Sequence, residues 1–436
     1  MTAVLDATAG VDVASYAVDA AKRAGGDDAT VVHVFDELFE VTYDNNDVGM
    51  VRTTVDDTVT LTVFVGGAKG SSTMTGRSHD LLDEAAAEAV ASARAGVADP
   101  ANKVVDGSPT NLVELGDREP QQDVMIDTVL RYQKFIADNY PKVIIRDSTY
   151  HFRNRWRSFA NSAGLTHQER RGSYTSSTIF SGKDGERTTS FNYTGASAAE
   201  PFGDLHEAAT LHRLLDDTMA SFGPKPVPDT FVGDVIFTPD SVSTLLNTVL
   251  TSLMGLTLMR GTSPFQESLG QTIADPRLSI ANRPTSPEFP LASTFDSYGL
   301  ACSDMPIITA GVLENYLIDW YTSHKLDRAP SASVYSIEMS PGDQTLDEII
   351  ANTERGILLG RFSGGAPNQQ LDFSGVAKNS FYVEDGKVKH AVNETMIAGN
   401  FAQMLQSLRA IGSEPVNFGD DSVVAIAASG VTISTK

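Results

Sequence analysis

The sequence predicts an α+β protein, with an N-terminal helix/sheet domain followed by a C-terminal domain rich in antiparallel strands and barrel-like. Three observations carry this expectation. Four helical patterns alternate with β-branched runs over the first 222 residues. Pro224, Pro226 and Pro228 then fall within one short stretch, where regular structure cannot continue. Beyond them, short strand-like runs separated by turn residues predominate. The expected division is 1–222, a Pro-rich boundary at 223–230, and 231–436.

Residues 13–24 fit a helix with Val13, Ala17, Ala20, Ala21 and Ala24 on one side, ended by Gly25-Gly26. Strands are expected at 29–34, 39–43, 48–53 and 59–65, the last stopped by Gly66-Gly67. Ser78 is placed to cap a helix reaching Ala95, with Leu81, Leu82, Ala85, Ala89, Val90 and Ala93 spaced for burial. Asp80, Asp83 and Glu84 suit its positive N-terminal end. Residues 97–119 read as a connector. A helix at 123–139 leads into strands at 143–147, 152–160 and 174–181, and 204–221 reads as one further helix.

Past the boundary, 234–237 fits a strand and 239–255 a helix. Phe381-Tyr382-Val383 and Val388, Ala391, Val392 flank Asp385-Gly386, which predicts a β-hairpin. Asn400 then caps a helix expected to carry Phe401, Met404, Leu405, Leu408 and Ile411 on one side.

Bulk properties exclude several classes. At 41% hydrophobic and 20% charged, the 436-residue chain is an ordinary globular composition. Its apolar runs are far too short to span a bilayer. Residues 1–15 show neither a basic segment nor an apolar core, so no secretory signal and no membrane partner are expected. With 33 basic and 56 acidic residues, the net charge of -23 opposes contact with nucleic-acid phosphates. The single cysteine, Cys302, cannot form an internal disulfide and suits a cytoplasmic location.

From Gly360 to Asn400 the order of parts is a Gly- and Ser-rich turn (Ser363-Gly364-Gly365-Ala366-Pro367-Asn368), the Glu384-Asp385-Gly386 hairpin and Ile397-Ala398-Gly399-Asn400. This order resembles the C-terminal signature of the TldD/PmbA family. Further resemblances are the strand end at 63–70, the turn Asn161-Ser162-Ala163-Gly164, the loop 261–270 and the segment 311–326. In that segment Tyr316, Leu317, Trp320 and Tyr321 are large enough to anchor a subunit interface or to fill the core. Some family members carry a historical name linked to DNA gyrase; the acidic charge argues against DNA contact here.

In the active subunit type of the family, an HExxxH helix after the boundary binds zinc, its glutamate serves as general base, and a later cysteine adds a third ligand. The resemblance places that motif at Asn247, Thr248, Val249, Leu250, Thr251 and Ser252, where neither histidine nor glutamate is present. No metal ligand, no catalytic residue and no cofactor are therefore expected in this chain. His206, Glu207 and His212 imitate a zinc motif. On a helix, however, an i,i+6 pair lies about 240° apart, so the rings are expected to diverge. Ser363 lacks the surroundings of a nucleophile elbow, and Lys69 lacks those of a phosphate loop.

The resemblance implies a non-catalytic TldE/PmbA-like subunit. It would pair with a homologous, zinc-bearing TldD-like subunit to form a cytoplasmic metalloprotease that cleaves small or unfolded peptides. Leader-peptide removal and peptide degradation are the implied roles. Ser363, Gly364, Gly365 and Asn368 are the candidate substrate-binding residues, since small residues expose backbone to which an extended peptide can pair. The alternatives are a stand-alone homodimeric peptide-binding protein and a metal-independent biosynthetic enzyme.

Overall fold

The computed structural model describes residues 7–44, 47–108, 112–364, 367–393 and 395–435. The architecture is α+β, and the described residues form three sheets. The first is built on four unusually long strands: β1 (Asp28–Asp44), β2 (Asp47–Val65), β5 (Val143–Asn161) and β6 (Thr166–Asp184). With β3 (Ala68–Thr75) and β4 (Val113–Leu115), the order is β3-β2-β1-β5-β6-β4; β7 (Arg187–Thr188) and β8 (Asn192–Ala198) also pair with β6. The expected strands at 29–34 and 39–43 are thus one strand, as are 48–53 with 59–65 and 143–147 with 152–160. Charged residues such as Asp36 and Glu37 break the apolar pattern, yet β1 continues because it is paired on both sides, with β2 and β5.

One face of this sheet carries two apolar patches, parted by a polar middle in which Asn154 bonds Glu37 and Arg170. Helices α1 (Ala7–Arg23) and α2 (His79–Ala95) cover its first half, packing Ala14, Ala17, Ala21, Leu82 and Ala89 against Val31, Leu61 and Val63. Ser78 caps α2 by accepting from the Leu81 N–H. Helices α3 (Gln122–Asn139) and α4 (Leu211–Ala220) cover the second half over Phe39, Tyr43, Tyr150, Phe152 and Tyr174. The helix expected over 204–221 is split. A 3₁₀ turn at Leu205–Glu207 precedes Ala209, whose φ of 47° interrupts the helix before α4.

The rest of the chain forms the second and third sheets. β9 (Phe231–Phe237) leads into α5 (Pro239–Leu253) and the short α6 (Gly255–Met259). A six-stranded sheet uses β10 (Ile280–Asn282), β11 (Met305–Thr309), β12 (Val312–Leu313) and β13 (Ile337–Met339), with α7 (Trp320–Leu326) between the last two. After α8 (Leu346–Ala351), β14 (Arg355–Leu359) pairs in parallel with β9. There follow β15 (Arg361–Gly364), β16 (Asp372–Lys378), β17 (Phe381–Glu384), β18 (Lys387–Ala391) and β19 (Thr395–Asn400). Then come α9 (Phe401–Gln406), β20 (Leu408–Ile411), β21 (Val416–Asn417), β22 (Asp421–Val423) and β23 (Ile426–Thr435). β21 and β22 complete the six-stranded sheet. The nine-stranded sheet runs β15-β16-β19-β23-β9-β14-β17-β18, with β20 on β23, and curls into a half-barrel. Helix α5 fills its concavity with Val242, Leu245, Leu246, Val249 and Leu253.

The expected hairpin is β17–β18. Asp385 and Gly386 both have positive φ (50° and 70°), the two-residue turn that matches strand twist. Asn400 caps α9 as expected, but Leu408 and Ile411 lie on β20 rather than on the helix. Among the described residues no helix is long and apolar enough to cross a membrane.

Candidate functional site

The Gly- and Ser-rich segment enters the structure as β15, an edge strand. It pairs with β16 alone, in the register Arg361↔Lys378 to Gly364↔Gly375. An edge strand presents unpaired N–H and C=O groups along its free side. Ser363 and Gly364 are exposed on it. Gly364 is needed for close approach rather than for an unusual φ. A Cβ there would sit 2.7 Å from Gly375 Cα, and one on Gly375 would sit 2.4 Å from Phe362 Cζ. The Phe362 ring therefore lies across the cross-strand glycine pair. Gly365 lies outside the described residues.

Asn368 is held within the turn that follows β15. Its Oδ1 accepts from the Gln370 and Asp372 N–H groups at 2.9 Å each, and its Nδ2 donates to Asp372 Oδ2 at 3.0 Å. These bonds fold the turn between β15 and β16 and occupy the amide. Asn400 Nδ2 in turn donates to Asp372 Oδ1 at 2.8 Å. Donation first by Asn400 and then by Asn368 holds the Asp372 carboxyl below its usual range.

A cavity of about 320 Å³ opens at the start of β15, between β8 and α5. Asn192, Tyr193, Ser243, Thr244, Asn247 and Arg361 are among its lining residues. Arg361 stacks over the Phe191 ring at 4.3 Å, and its buried Nε has no hydrogen-bond partner. Phe191 and Tyr193 remain 47% and 54% exposed, so the rim of the cavity is aromatic. A network of polar side chains ties its walls. Arg213 and Thr210 of the α4 segment both bond Asp240 on α5, and Thr210 also bonds Thr194 on β8 at 3.1 Å.

The helix that borders this cavity, α5, is the one onto which the family resemblance places the zinc motif. Asn247 is exposed, Val249 and Leu250 are buried, and Thr248 Oγ1 donates back to the Thr244 carbonyl at 2.8 Å. Hydroxyls turned onto their own helix, one amide and two aliphatic side chains do not make a zinc donor set. The residues present do not fit the metal.

His206, Glu207 and His212 fall out otherwise than expected. The helix break at Ala209 swings the two rings to 5.7 Å between centroids, with His206 stacked on Phe135 at 3.7 Å. Glu207 Oε1 lies 3.2 Å from His206 Nε2 and 3.9 Å from His212 Nδ1. They converge because the segment is not one helix, a break that no Gly or Pro announces. Even so, among the described residues no group of three or more His, Cys, Asp or Glu is disposed to hold a metal ion.

Tyr316 and Leu317 belong to the core, whereas Trp320 and Tyr321 reach the connector: Trp320 Nε1 donates to the Lys103 carbonyl and Tyr321 Oη to Asp99, both at 2.8 Å. Burial pushes the Cys302 thiol up to about 12, so it is a poor nucleophile.

Comparison with known proteins follows the same layout. Residues 230–435 match the PmbA/TldA metallopeptidase C-terminal domain, and residues 29–93 match domain 1 of that metallopeptidase. The chain is 21% identical to the metalloprotease PmbA homolog of Haemophilus influenzae, over 92% of this chain and 90% of that one. Among solved structures, a Bacteroides thetaiotaomicron protein named for modulation of DNA gyrase superposes with a TM-score of 0.86 at 23% identity, covering 98% of each chain. TldE from Thermococcus kodakarensis gives 0.84 at 17% identity, covering 97% of this chain and 100% of that one. A helix after the boundary, a half-barrel around it and a glycine-bearing edge strand are thus set in a shared fold, and the chain belongs to the PmbA/TldD metallopeptidase family.

Proposed function

We propose that this chain is the metal-free, TldE/PmbA-type subunit of a heteromeric metalloprotease of the cytoplasm. It would hold an extended peptide for a zinc-bearing TldD-like partner. The observation that carries this reading is the pairing of a free strand edge at β15 with an adjoining cavity whose helix lacks zinc ligands. An extended peptide added to β15 would gain main-chain hydrogen bonds beside Ser363 and Gly364, while side chains enter the pocket rimmed by Phe191 and Tyr193. Gly365 is proposed to bind the peptide as well, and Asn368 to shape the edge through its turn. The hydrolytic step belongs to the partner's metal-bound water. With the division taken at 223–230, both lobes contribute walls to the cavity.

The test is zinc analysis and peptide cleavage, on the chain alone and co-expressed with an HExxxH-bearing homologue from the same genome. Cleavage and a stable heteromeric complex are expected only on co-expression. Hydrogen exchange at Arg361–Gly364 should slow when peptide is added to that complex. Stoichiometric zinc or chelator-sensitive cleavage by the isolated chain would refute the reading.

A further inference from the structure

The face of the first sheet opposite its helices carries a concentration of positive charge that the proposed function does not use. Arg153, Arg155 and Arg157 alternate along β5, so all three project to one side. The register places Arg171 of β6 directly across from Arg155, and Glu169 across from Arg157. A segment from the other lobe, residues 290–293, closes over them and leaves a cavity of about 150 Å³. Four guanidiniums thus meet around a small enclosed space in a protein whose net charge is -23.

The carboxylates nearby satisfy them only in part. Glu169 is committed to the closing segment: it accepts from the Ser293 hydroxyl and from the Thr294 N–H and hydroxyl, at 2.8 and 2.9 Å for the latter two. It stands 3.8 Å from Arg157 and 3.5 Å from Arg171, beyond good hydrogen-bond reach. Asp36 lies 3.7 Å from Arg155. Arg157 has partners of its own, Ser293 and the Phe295 carbonyl, and its guanidinium sits over the Phe295 ring. Arg171 has only the 3.5 Å ion pair with Glu169, and Arg153 only the charge of Asp36. The Nε of each is buried without a hydrogen-bond partner, and Arg171 is only 8% exposed. Arginine cannot shed its proton to relieve such a position. Four positive charges face three negative ones, Glu169, Asp36 and the buried Asp296 that acts on Arg157, so positive charge remains in excess around the pocket that the four arginines line.

We propose that this pocket is a binding site for a small oxyanion of the phosphate class, either inorganic phosphate or the terminal group of a phosphomonoester. A bound anion offsets the remaining positive charge. Its several acceptor oxygens also suit guanidinium forks, which bond phosphate in pairs. Ser173 at the wall adds a hydroxyl. Because the pocket lies between the long sheet and the 290–293 segment, a bound anion would brace one lobe to the other.

The experiment is thermal unfolding and calorimetric titration of the full chain with inorganic phosphate, and separately with phosphoserine, against chloride at matched ionic strength. Phosphate is expected to raise Tm by several degrees beyond chloride, with saturable heat. Arg153→Gln is the chosen variant because the buried Nε of that side chain has no hydrogen-bond partner. It should keep the phosphate-free Tm of the parent, or exceed it, and weaken phosphate binding at least tenfold. Arg171→Lys keeps the charge but loses the fork, and should weaken it as well. Saturation by phosphoserine at lower concentration than by phosphate would identify a phosphomonoester site; equal or weaker binding would identify free phosphate. A Tm that responds to phosphate no more than to chloride overturns the proposal. So does a phosphate response that Arg153→Gln leaves intact.

Discussion

Asn400 serves two structures at once. Its Oδ1 accepts from the Gln403 N–H at 3.0 Å to cap α9, while its Nδ2 bonds the Gln370 carbonyl at 2.7 Å and Asp372 at 2.8 Å in the β15–β16 turn. Asn400→Ala should cost about 1–2 kcal/mol in denaturant unfolding, a loss that Asn400→Asp should not recover at neutral pH, because it keeps the cap but sets a carboxylate oxygen against Asp372 and the Gln370 carbonyl. Asp421 is a residue of the opposite kind. Burial pushes its carboxyl up to about 6, neighbouring Asp420 adds repulsion, and the Ile337 N–H opposes both. Its folded value lies above the ordinary 3.8, so the native state holds more protons between those limits. Stability therefore falls as pH rises through that window, and the full cost is present above it. Asp421→Asn should gain up to about 2 kcal/mol at pH 7.5 relative to the parent and much less at pH 4, by unfolding at the two pH values. Asn368 shows the limit of reading such residues from sequence. Its place in a glycine-rich run suggests a peptide-facing residue, and the sequence does not reveal that its amide also closes a local turn, which depends on the position of Asp372 in space.

Turn chemistry was legible at the level of elements because it is local. Asp385-Gly386 predicts a hairpin from two residues, and the backbone adopts it with positive φ at both. Gly386→Ala should destabilise by roughly 1–3 kcal/mol, since an L side chain resists that φ and its Cβ would meet the Ala351 carbonyl at 2.4 Å. Hydrogen-exchange protection over β17 and β18 is the sensitive readout. The long strands were not legible as single elements. Their midpoints carry polar residues that face the charged side of the sheet, and continuity comes from partners far away in sequence. The break between the 3₁₀ turn and α4 was equally hidden, because Ala209 gives no sign of its positive φ. That break makes His206 and His212 neighbours. On α5, by contrast, the residue types at 247–252 are plain in the sequence, and the structure buries Val249 and Leu250 and turns Thr248 onto a helix carbonyl.

Charge and connectivity govern the whole molecule. A net charge of -23 on one chain repels itself, and mobile ions screen such repulsion within about 10 Å at 0.1 M salt. Raising potassium chloride from 0.05 to about 1 M should therefore raise Tm by several degrees, measured by scanning calorimetry; an unchanged or lower Tm would show that surface repulsion is not a principal cost. The cavity beside α5 and the arginine pocket both lie where strands of the first sheet meet segments from the half of the chain after residue 230, which is why neither was visible as a sequence motif. The contact between Glu169 and Ser293 spans 124 positions of chain. On a ribosome elongating at about 5–20 residues per second, the segment that covers the arginines would be made roughly 6–25 s after Glu169. For that interval the nascent sheet would expose an uncovered basic face, and its first occupant would be whatever anion the surrounding solution supplies.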